Sequence, residues 1–582
     1  MAEEHYSPER LAQFAKRARG NHNAVLAFTG LMAGVALICV SFHLIRLISS
    51  RATSTSQQPK KPSPLVKLGR HIRGITLRKA PALPSVGHAG VVGVYFAINV
   101  ALTFGFVDYN NMTPLSNIGS RAGWMAIANM VLLVFLALKN TPLAFLSSYS
   151  YERLNSLHQY AGYSTIVFTI IHVSLYCTYF VQAGRPTRLL YTNEIFGMVA
   201  ALSFLALGIT GGIVRRFNYE LFYVLHVSFW VLAVVMVGLH QPELSKKIIF
   251  GTCVAGGMWG LDRLIRFVRL MAYSTNNTVV VTPLPHGATR VSLKKPPVGA
   301  VAGKHCFLWI PRIRAVETHP FTMSSTEPTE FVINSYDGFT SDLHQYAAKH
   351  PGAELKASVE GPYGTFPNPA SRNKLVLVAG GSGATFTFGT ALHMLKSMSP
   401  DDNKSITFVW VVRDRSYLTW FTQSLKTLNS DRRVSILIYV TRSSTVEQLT
   451  PPSSSAGRGD DEETKLSELG IEPRQTLERA PGSSMSIDFE KAAPSPSSTS
   501  DDSDAPASVR ETALELALPI IDGRPDVKSL VRTEIEAMPS HGSVLVMGCG
   551  PAGLMTDLRN TTAGCIRAEG PTVELHCEQF GW

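Results

Sequence analysis

The stretch 157–181, LHQYAGYSTIVFTIIHVSLYCTYFV, decides the reading of the chain together with a second stretch of the same kind, 221–240, LFYVLHVSFWVLAVVMVGLH. Each is apolar over roughly the 20 residues needed to cross a bilayer. Each carries two histidines, His158 and His172 in the first and His226 and His240 in the second, fourteen residues apart in both. That spacing is close to four helical turns, so the members of a pair share one helix face and stand about 21 Å apart along the axis. The offset fits within a hydrocarbon core of about 30 Å. One further apolar stretch, residues 195–214, separates the two, so if all three span, the histidine helices run in the same direction and match in register. His158 then faces His226 near one membrane surface, and His172 faces His240 near the other. The result is two bis-imidazole clamps stacked across the layer, which two b-type haems would fill.

The plainer reading of any one of these residues is a packed, hydrogen-bonded core histidine. Four polar side chains at membrane depth in two equal pairs weigh against it, because such groups are costly in lipid and tend to mark pathways or cofactors. Zinc would need its ligands to converge on one point. Ligands so far apart along each helix cannot converge.

Further apolar runs at 25–48, 89–107, 122–138 and 248–261 bring the expected spans to seven, the last interrupted by Asp262 and Arg263. Arg51, Lys60, Lys61, Lys67, Arg70, Arg73, Arg78 and Lys79 crowd the segment 49–88, Arg215 and Arg216 precede His226, and Arg263, Arg266 and Arg269 follow the last span. These loops are expected in the cytosol by the positive-inside rule, which puts everything beyond about residue 270 inside and the polar segment 1–23 outside. Arg10, Lys16, Arg17 and Arg19 speak mildly against that, offset by three nearby glutamates. Asn111-Met112-Thr113 would then be an outer glycosylation acceptor. The net charge of +11 in 582 residues is mostly topological and requires no nucleic acid. The seven cysteines show neither a disulfide framework nor metal-ligand spacing, and Cys549 reads as a free thiol.

From about residue 275 short Pro- and Gly-punctuated strands, TVVVTPLP, TRVSL, HCFLWIP, EFVINSY and LKASVEG, suggest an antiparallel β-barrel over 275–370. It holds His319-Pro320-Phe321-Thr322-Met323-Ser324-Ser325, whose Thr and Ser could meet an isoalloxazine edge or whose Pro and Phe could be plain core. Gly338-Phe339-Thr340 opens a helix, either a pyrophosphate site or an ordinary capped turn. Over 372–582, LVLVAGGSGATFTFGTALHML reads as strand, glycine turn (Gly380, Gly381, Ser382, Gly383, then Thr385) and helix, suited to a dinucleotide pyrophosphate. Strands alternating with helices imply a parallel sheet. Arg413 ends one strand, where it could meet a 2′-phosphate or simply face solvent, and SVLVMG runs into Cys549-Gly550-Pro551. Residues 443–510, rich in Ser, Pro and acid, read as a disordered insertion.

Paired histidines, HPFTMSS, GPYG at 361–364, GGSGAT, GRPD at 523–526, CGP and an aromatic end, in that order, resemble the ferric reductase and NADPH oxidase superfamily from about residue 85 onward. The extra N-terminal span at 24–48 and the Ser-rich insertion look like fungal plasma-membrane metalloreductases. The resemblance implies a transmembrane haem domain over 89–271, with FAD on HPFT and the following serines. It places NADPH on GGSG, GRP and CGP, with Phe580 or Trp582 covering the flavin. It also implies extracellular ferric chelates, and Cu2+, as acceptors, with coupling to a high-affinity iron uptake system. Because a nicotinamide gives two electrons at once and a haem takes one, a flavin belongs between them. The competing expectations are an oxidase that makes superoxide and, from another class, a haem-bearing scaffold or sensor.

Overall fold

The computed structural model describes residues 7–55, 63–105, 112–147, 151–241, 247–442 and 518–578, with residues 107 and 149. Seven of its helices are long and apolar enough to cross a membrane. They are α1 (Pro8–Thr55), α3 (Val86–Phe104), α4 (Pro114–Ala137), α6 (Tyr151–Gln182), α7 (Thr192–Ile209), α9 (Tyr219–Leu239) and α10 (Lys247–Ser274). Short helices α2 (Pro64–Thr76), α5 (Pro142–Ser147) and α8 (Arg215–Phe217) lie between them. The starts are set by local chemistry, since Ser85, Thr113 and Asn218 accept amide N–H groups of the first turns of α3, α4 and α9, and Pro114 follows its cap.

Helix α4 is the hub. Ala122, Met125 and Met130 on it are fully buried, and it packs along α6 while α9 packs along α7. Polar groups inside the bundle are matched to one another, as an apolar solvent requires. Arg121 of α4 donates from Nε to Asn21 Oδ1 of α1 at 2.7 Å and from Nη1 to the Gly105 carbonyl at 3.1 Å. Asn129 of α4 donates to Asn99 Oδ1 at 2.7 Å and accepts from the Tyr95 hydroxyl at 2.6 Å, tying in α3.

Helix α10 continues well past the expected end at residue 261. Asp262 and Arg263 look like a stop in the sequence, but the charges are answered by distant partners. Asp262 accepts from Asn140 Nδ2 at 2.9 Å, Arg269 donates to Asn140 Oδ1 at 2.6 Å, and Arg266 Nε meets both Glu360 oxygens at 3.0 and 3.1 Å. The helix therefore runs as one rod from the lipid layer into the first extramembrane domain.

That domain is a seven-stranded antiparallel half-barrel: β1 (Thr278–Pro283), β2 (Ala288–Leu293), β3 (His305–Trp309), β4 (His319–Thr326), β5 (Thr329–Asn334), β6 (Ala353–Lys356) and β7 (Ser358–Tyr363), in the order β6-β1-β2-β5-β4-β3-β7. Helix α11 (Gly338–Lys349) buries Phe339, Leu343 and Ala347 against its core of Val279, Val281, Val291, Leu308 and Phe331. His319–Ser325, read from sequence only as a motif, is itself strand β4, lying between β3 and β5.

The second domain is a six-stranded parallel sheet. Its strands are β8 (Lys374–Gly380), β9 (Ser405–Val412), β10 (Val434–Val440), β11 (Ile520–Asp522), β12 (Ser543–Cys549) and β13 (Thr572–Glu578), ordered β11-β10-β9-β8-β12-β13. Helices α12 (Ala384–Ser397), α13 (Thr422–Asn429), α14 (Val527–Glu536) and α15 (Ala552–Gly564) cover it. Alternate residues serve opposite faces: Leu375, Leu377, Phe408 and Trp410 enter one core, Val376, Val378 and Val409 the other. The insertion 443–510 lies outside the described residues.

Helix α2 reaches across to this domain. Arg70 Nη1 donates to the Gly570 carbonyl at 2.8 Å and Nη2 to Thr572 Oγ1 at 3.2 Å, Lys67 pairs with Glu569, and the Lys79 amide donates to Asn560 Oδ1 at 2.9 Å. Leu65, Leu68, Ile72 and Ile75 on its other face are exposed.

Candidate functional site

His158 and His172 lie on α6, His226 on α9 and His240 at the cap that ends α9, and each is oriented by a bond from Nδ1. His158 Nδ1 lies 2.8 Å from the Leu133 carbonyl, His172 Nδ1 2.8 Å from that of Gly119, and His240 Nδ1 2.6 Å from that of Asn193. His226 Nδ1 lies 3.2 Å from Thr210 Oγ1, whose own proton goes to the Leu207 carbonyl at 3.0 Å. Every partner is an acceptor, so Nδ1 carries the hydrogen and Nε2 is left as a lone pair, the tautomer a metal-bound imidazole requires.

His172 and His240 face each other with ring centroids 6.3 Å apart and planes 76° from parallel. Two imidazoles sharing one metal at about 2 Å from each nitrogen, with each ring centre roughly 1 Å further back, would have centroids about 6 Å apart. The pair fits a bis-imidazole haem site.

Glycines on the flanking helices make room for the rings. A Cβ at Gly123 of α4 would lie 2.7 Å from His172 Nδ1, and one at Gly197 of α7 would lie 2.6 Å from His240 Nδ1. Gly211 stands 3.7 Å by the same measure from His226 Cε1, within the π-turn Thr210–Val214 that follows α7. Such turns recur at functional sites because they re-aim side chains. None of Gly119, Gly123, Gly197, Thr210 or Asn193 was singled out from the sequence. The available signal was a pair of small residues one turn apart, Gly119 and Gly123, on the span before the histidines.

In the half-barrel, HPFT and the glycine turn come together. The His319 ring stacks on Phe339 at 4.5 Å and Phe321 stacks on the same ring at 6.0 Å. Phe339 is buried, so it supports the strand from beneath. Pro320, Thr322 and Ser325 follow along the strand. Ser324 Oγ is committed to the Glu330 carbonyl at 3.0 Å, and Ser325 Oγ accepts from the Glu327 amide. Gly338 adopts φ 50°, a left-handed conformation that glycine takes without strain, and Thr340 Oγ1 accepts from the Tyr336 amide at 3.0 Å.

In the parallel sheet, two loops far apart in sequence interlock. A Cβ at Gly383 would strike the Cys549 carbonyl at 2.3 Å, one at Gly380 would strike Pro551 Cδ at 2.6 Å, and one at Gly550 would lie 3.0 Å from the Gly380 amide nitrogen. The buried Trp410 indole holds the Gly381 carbonyl at 3.1 Å. Chain order reverses between β8 and β12, so the notch sits at the carboxyl ends of the strands at a topological switch point, where α/β sheets receive nucleotides. Arg413 ends the next strand, β9, and is exposed. Thr385 is buried, donating to the Ser382 carbonyl at 3.1 Å. Burial pushes the Cys549 thiol well above its ordinary value, which keeps it protonated.

The two notches adjoin. A Cβ at Gly389 of α12 would come within 2.6 Å of the Gly303 amide and 2.9 Å of the Met323 carbonyl, so the helix leaving GGSG presses directly on β4. Phe580, Trp582 and Asn111 lie outside the described residues.

A bundle of membrane-length helices is thus continued by an antiparallel half-barrel and a parallel sheet with a nucleotide-type notch. Comparison with known families is more specific. Residues 122–237 match the ferric reductase like transmembrane component, 274–367 the FAD-binding domain and 372–563 the ferric reductase NAD binding domain. The chain is thus similar to ferric reductases along both its helix bundle and its parallel sheet. It is 24% identical over 483 residues to the Candida albicans ferric/cupric reductase transmembrane component 1, covering 80% of this chain and 57% of that one. It is 24% identical over 476 residues to the Saccharomyces cerevisiae ferric/cupric reductase transmembrane component 2, covering 80% and 61%. The chain thus spans less than two thirds of these relatives' length. Among solved structures, flavohemoglobin from Malassezia yamatoensis matches at 12% identity with a TM-score of 0.34, covering 80% of this chain and 96% of that one.

Proposed function

We propose that the chain is a transmembrane NADPH-dependent ferric-chelate reductase of the plasma membrane. The observation that carries this reading is the facing pair His172 and His240, with ring centroids 6.3 Å apart, on the same chain as adjoining notches in the half-barrel and the parallel sheet. His158 with His226 forms the clamp nearer the extramembrane domains, and His172 with His240 the one further away. The backbone of Gly380–Gly383 with Cys549, Gly550 and Pro551 receives the NADPH pyrophosphate. Arg413 answers its 2′-phosphate, and Thr385 holds the loop in shape. His319, Pro320, Phe321, Thr322, Ser324 and Ser325 present β4 to FAD, with Gly338, Phe339 and Thr340 behind them. Bound there, the nicotinamide would supply an electron pair, the flavin its division into single electrons, and two b-type haems their passage across the lipid.

The protein's own contribution is placement. Nδ1–H donation fixes each ring, glycines clear the space around it, and α10 carries the half-barrel against the inner end of the bundle. With the domains in the cytosol and the N-terminus outside, each outgoing electron gains about 2.3 kcal/mol per 100 mV of inside-negative potential. The acceptor outside is chelated ferric iron, with Cu2+ as a second substrate, and the ferrous product feeds an uptake system.

The test is a reduced-minus-oxidised optical spectrum on membranes supplied with NADPH, alongside ferrous-chelate formation and superoxide release. The unaltered chain should show low-spin bands and produce ferrous chelate. His172→Ala should lose part of those bands and at least about a hundredfold of the ferric activity, the scale seen when a positioned metal site is disrupted. Superoxide as the main product would replace the acceptor assignment, and unchanged spectra in His172→Ala would overturn the ligand assignment.

A further inference from the structure

On the face of the bundle away from the two extramembrane domains lies a cavity of about 500 Å3. Glu9, Arg10 and Gln13 of α1, Thr113 and Ser116 at the start of α4, and Tyr179 near the end of α6 line it. Its size is that of a small-molecule site. Two independent features give it direction. The first is a run of aromatic rings: Tyr176 lies against His172 at a centroid distance of 5.0 Å and against Tyr179 at 6.4 Å, so the cavity wall connects to the outer clamp. The second is charge. Arg17 Nη1 donates to Ser116 Oγ on the wall at 2.6 Å and Arg10 lines the space, two guanidinium groups beside the one lining carboxylate, Glu9.

Taking the electron-transfer reading above as its basis, the geometry points to this cavity as the docking site of an anionic hydroxycarboxylate chelate of Fe(III), of the citrate class. A bare trivalent cation would be repelled by such a surface, and an anionic complex is drawn in. Each chelated Fe(III) takes one electron and leaves as Fe(II), with no bond to the protein formed or broken. Two such turnovers consume one NADPH, which departs on the opposite side as NADP+ with release of one proton. The basic residues near the N-terminus, which argue against an outer location on a charge rule alone, acquire a role in substrate capture on that side.

The test uses the full chain in membranes and in detergent, with ferric citrate as the reducible probe, gallium(III) citrate as its non-reducible analogue, and hexaammineruthenium(III) as a cationic acceptor. Arg10→Glu should raise KM for ferric citrate and weaken gallium citrate binding by about three- to tenfold, without raising KM for the ruthenium complex. Glu9→Lys should move both citrate values the other way, so the two substitutions guard against a variant that merely misfolds, and the haem spectrum reports the fold of each. Unchanged KM and unchanged gallium binding in both variants, with normal spectra, would overturn the cavity assignment alone. Failure of NADPH to alter the spectrum of the unaltered chain would overturn the electron-transfer reading, while gallium binding would still decide the cavity.

Discussion

At the scale of single residues, the histidines depend on what is missing beside them. An extra methyl at Gly123 would enter the space of the His172 ring at 2.7 Å, and the ring has no slack because the Gly119 carbonyl holds its Nδ1. Gly123→Ala should therefore displace the imidazole and lower the low-spin absorbance and ferric reduction together by roughly tenfold or more, the size of a lost positioning contact. Gly162→Ala on α6, where nothing lies within 4 Å, should instead be neutral or stabilise by up to about 1 kcal/mol, as alanine favours helix over glycine. Equal behaviour of the two variants in the optical spectrum would refute the steric argument. The relation of His158 to His172 was legible in the sequence because both sit on α6, where spacing fixes it, whereas His240 caps α9 just past its last helical residue, Leu239. The carbonyl acceptors and glycine clearances of the histidines were not legible, because those belong to other helices and become neighbours only on packing.

Among the elements, α10 bears the join between the helix bundle and the half-barrel. Glu360 on β7 is buried, which alone would raise its carboxyl, yet the Arg266 guanidinium against it holds the group below its ordinary value. A carboxyl whose folded value is depressed adds stability above its unfolded value of about 4.3 and loses it as pH falls through the folded value. The seam should thus weaken only under acid, below about pH 4, and be indifferent between pH 6 and 8. Arg266→Met, which strands the buried carboxylate, should cost about 3–5 kcal/mol at neutral pH, read as a fall in the thermal midpoint of flavin release. If Arg266→Met and Glu360→Gln leave that midpoint where it was, the pair does not hold the domains together. Here the sequence misled about the end of α10, because Asp262 and Arg263 look like a terminus until their partners Asn140 and the Tyr223 hydroxyl are seen. Strand β4 was recognised for its motif and not as a strand, since Pro320 interrupts the usual alternation, although pairing with both β3 and β5 accommodates it. The parallel sheet was clear from its apolar runs, but the interlock of Gly383 with Cys549 depends on β8 and β12 being neighbours, which no local pattern states.

For the molecule as a whole, the nucleotide sheet is held through the half-barrel, through α2 and through Arg153 of α6, whose Nη2 donates to the Cys577 carbonyl at 2.9 Å. Arg70 alone makes bonds to the Gly570 carbonyl and to Thr572 Oγ1, both part-buried, so Arg70→Ala should release that grip at a cost of about 1–2 kcal/mol. Hydrogen exchange should then rise in α15 and the loop before β13 and stay unchanged in β8 and β9; a uniform rise would mean general destabilisation instead. The partners Lys67 and Glu569 are 502 positions apart. At about 5–20 residues per second, a ribosome needs roughly 25 to 100 seconds to make the second after the first. Throughout that interval Leu65, Leu68, Ile72 and Ile75 are already present with the basic side of their helix still waiting for its dock, and the lipid headgroup layer beside them is the natural shelter for such a two-sided segment. Biogenesis of this protein is thus a timed rendezvous, in which an early-born strip at the bilayer surface must be kept from straying until the last tenth of the polypeptide emerges to meet it.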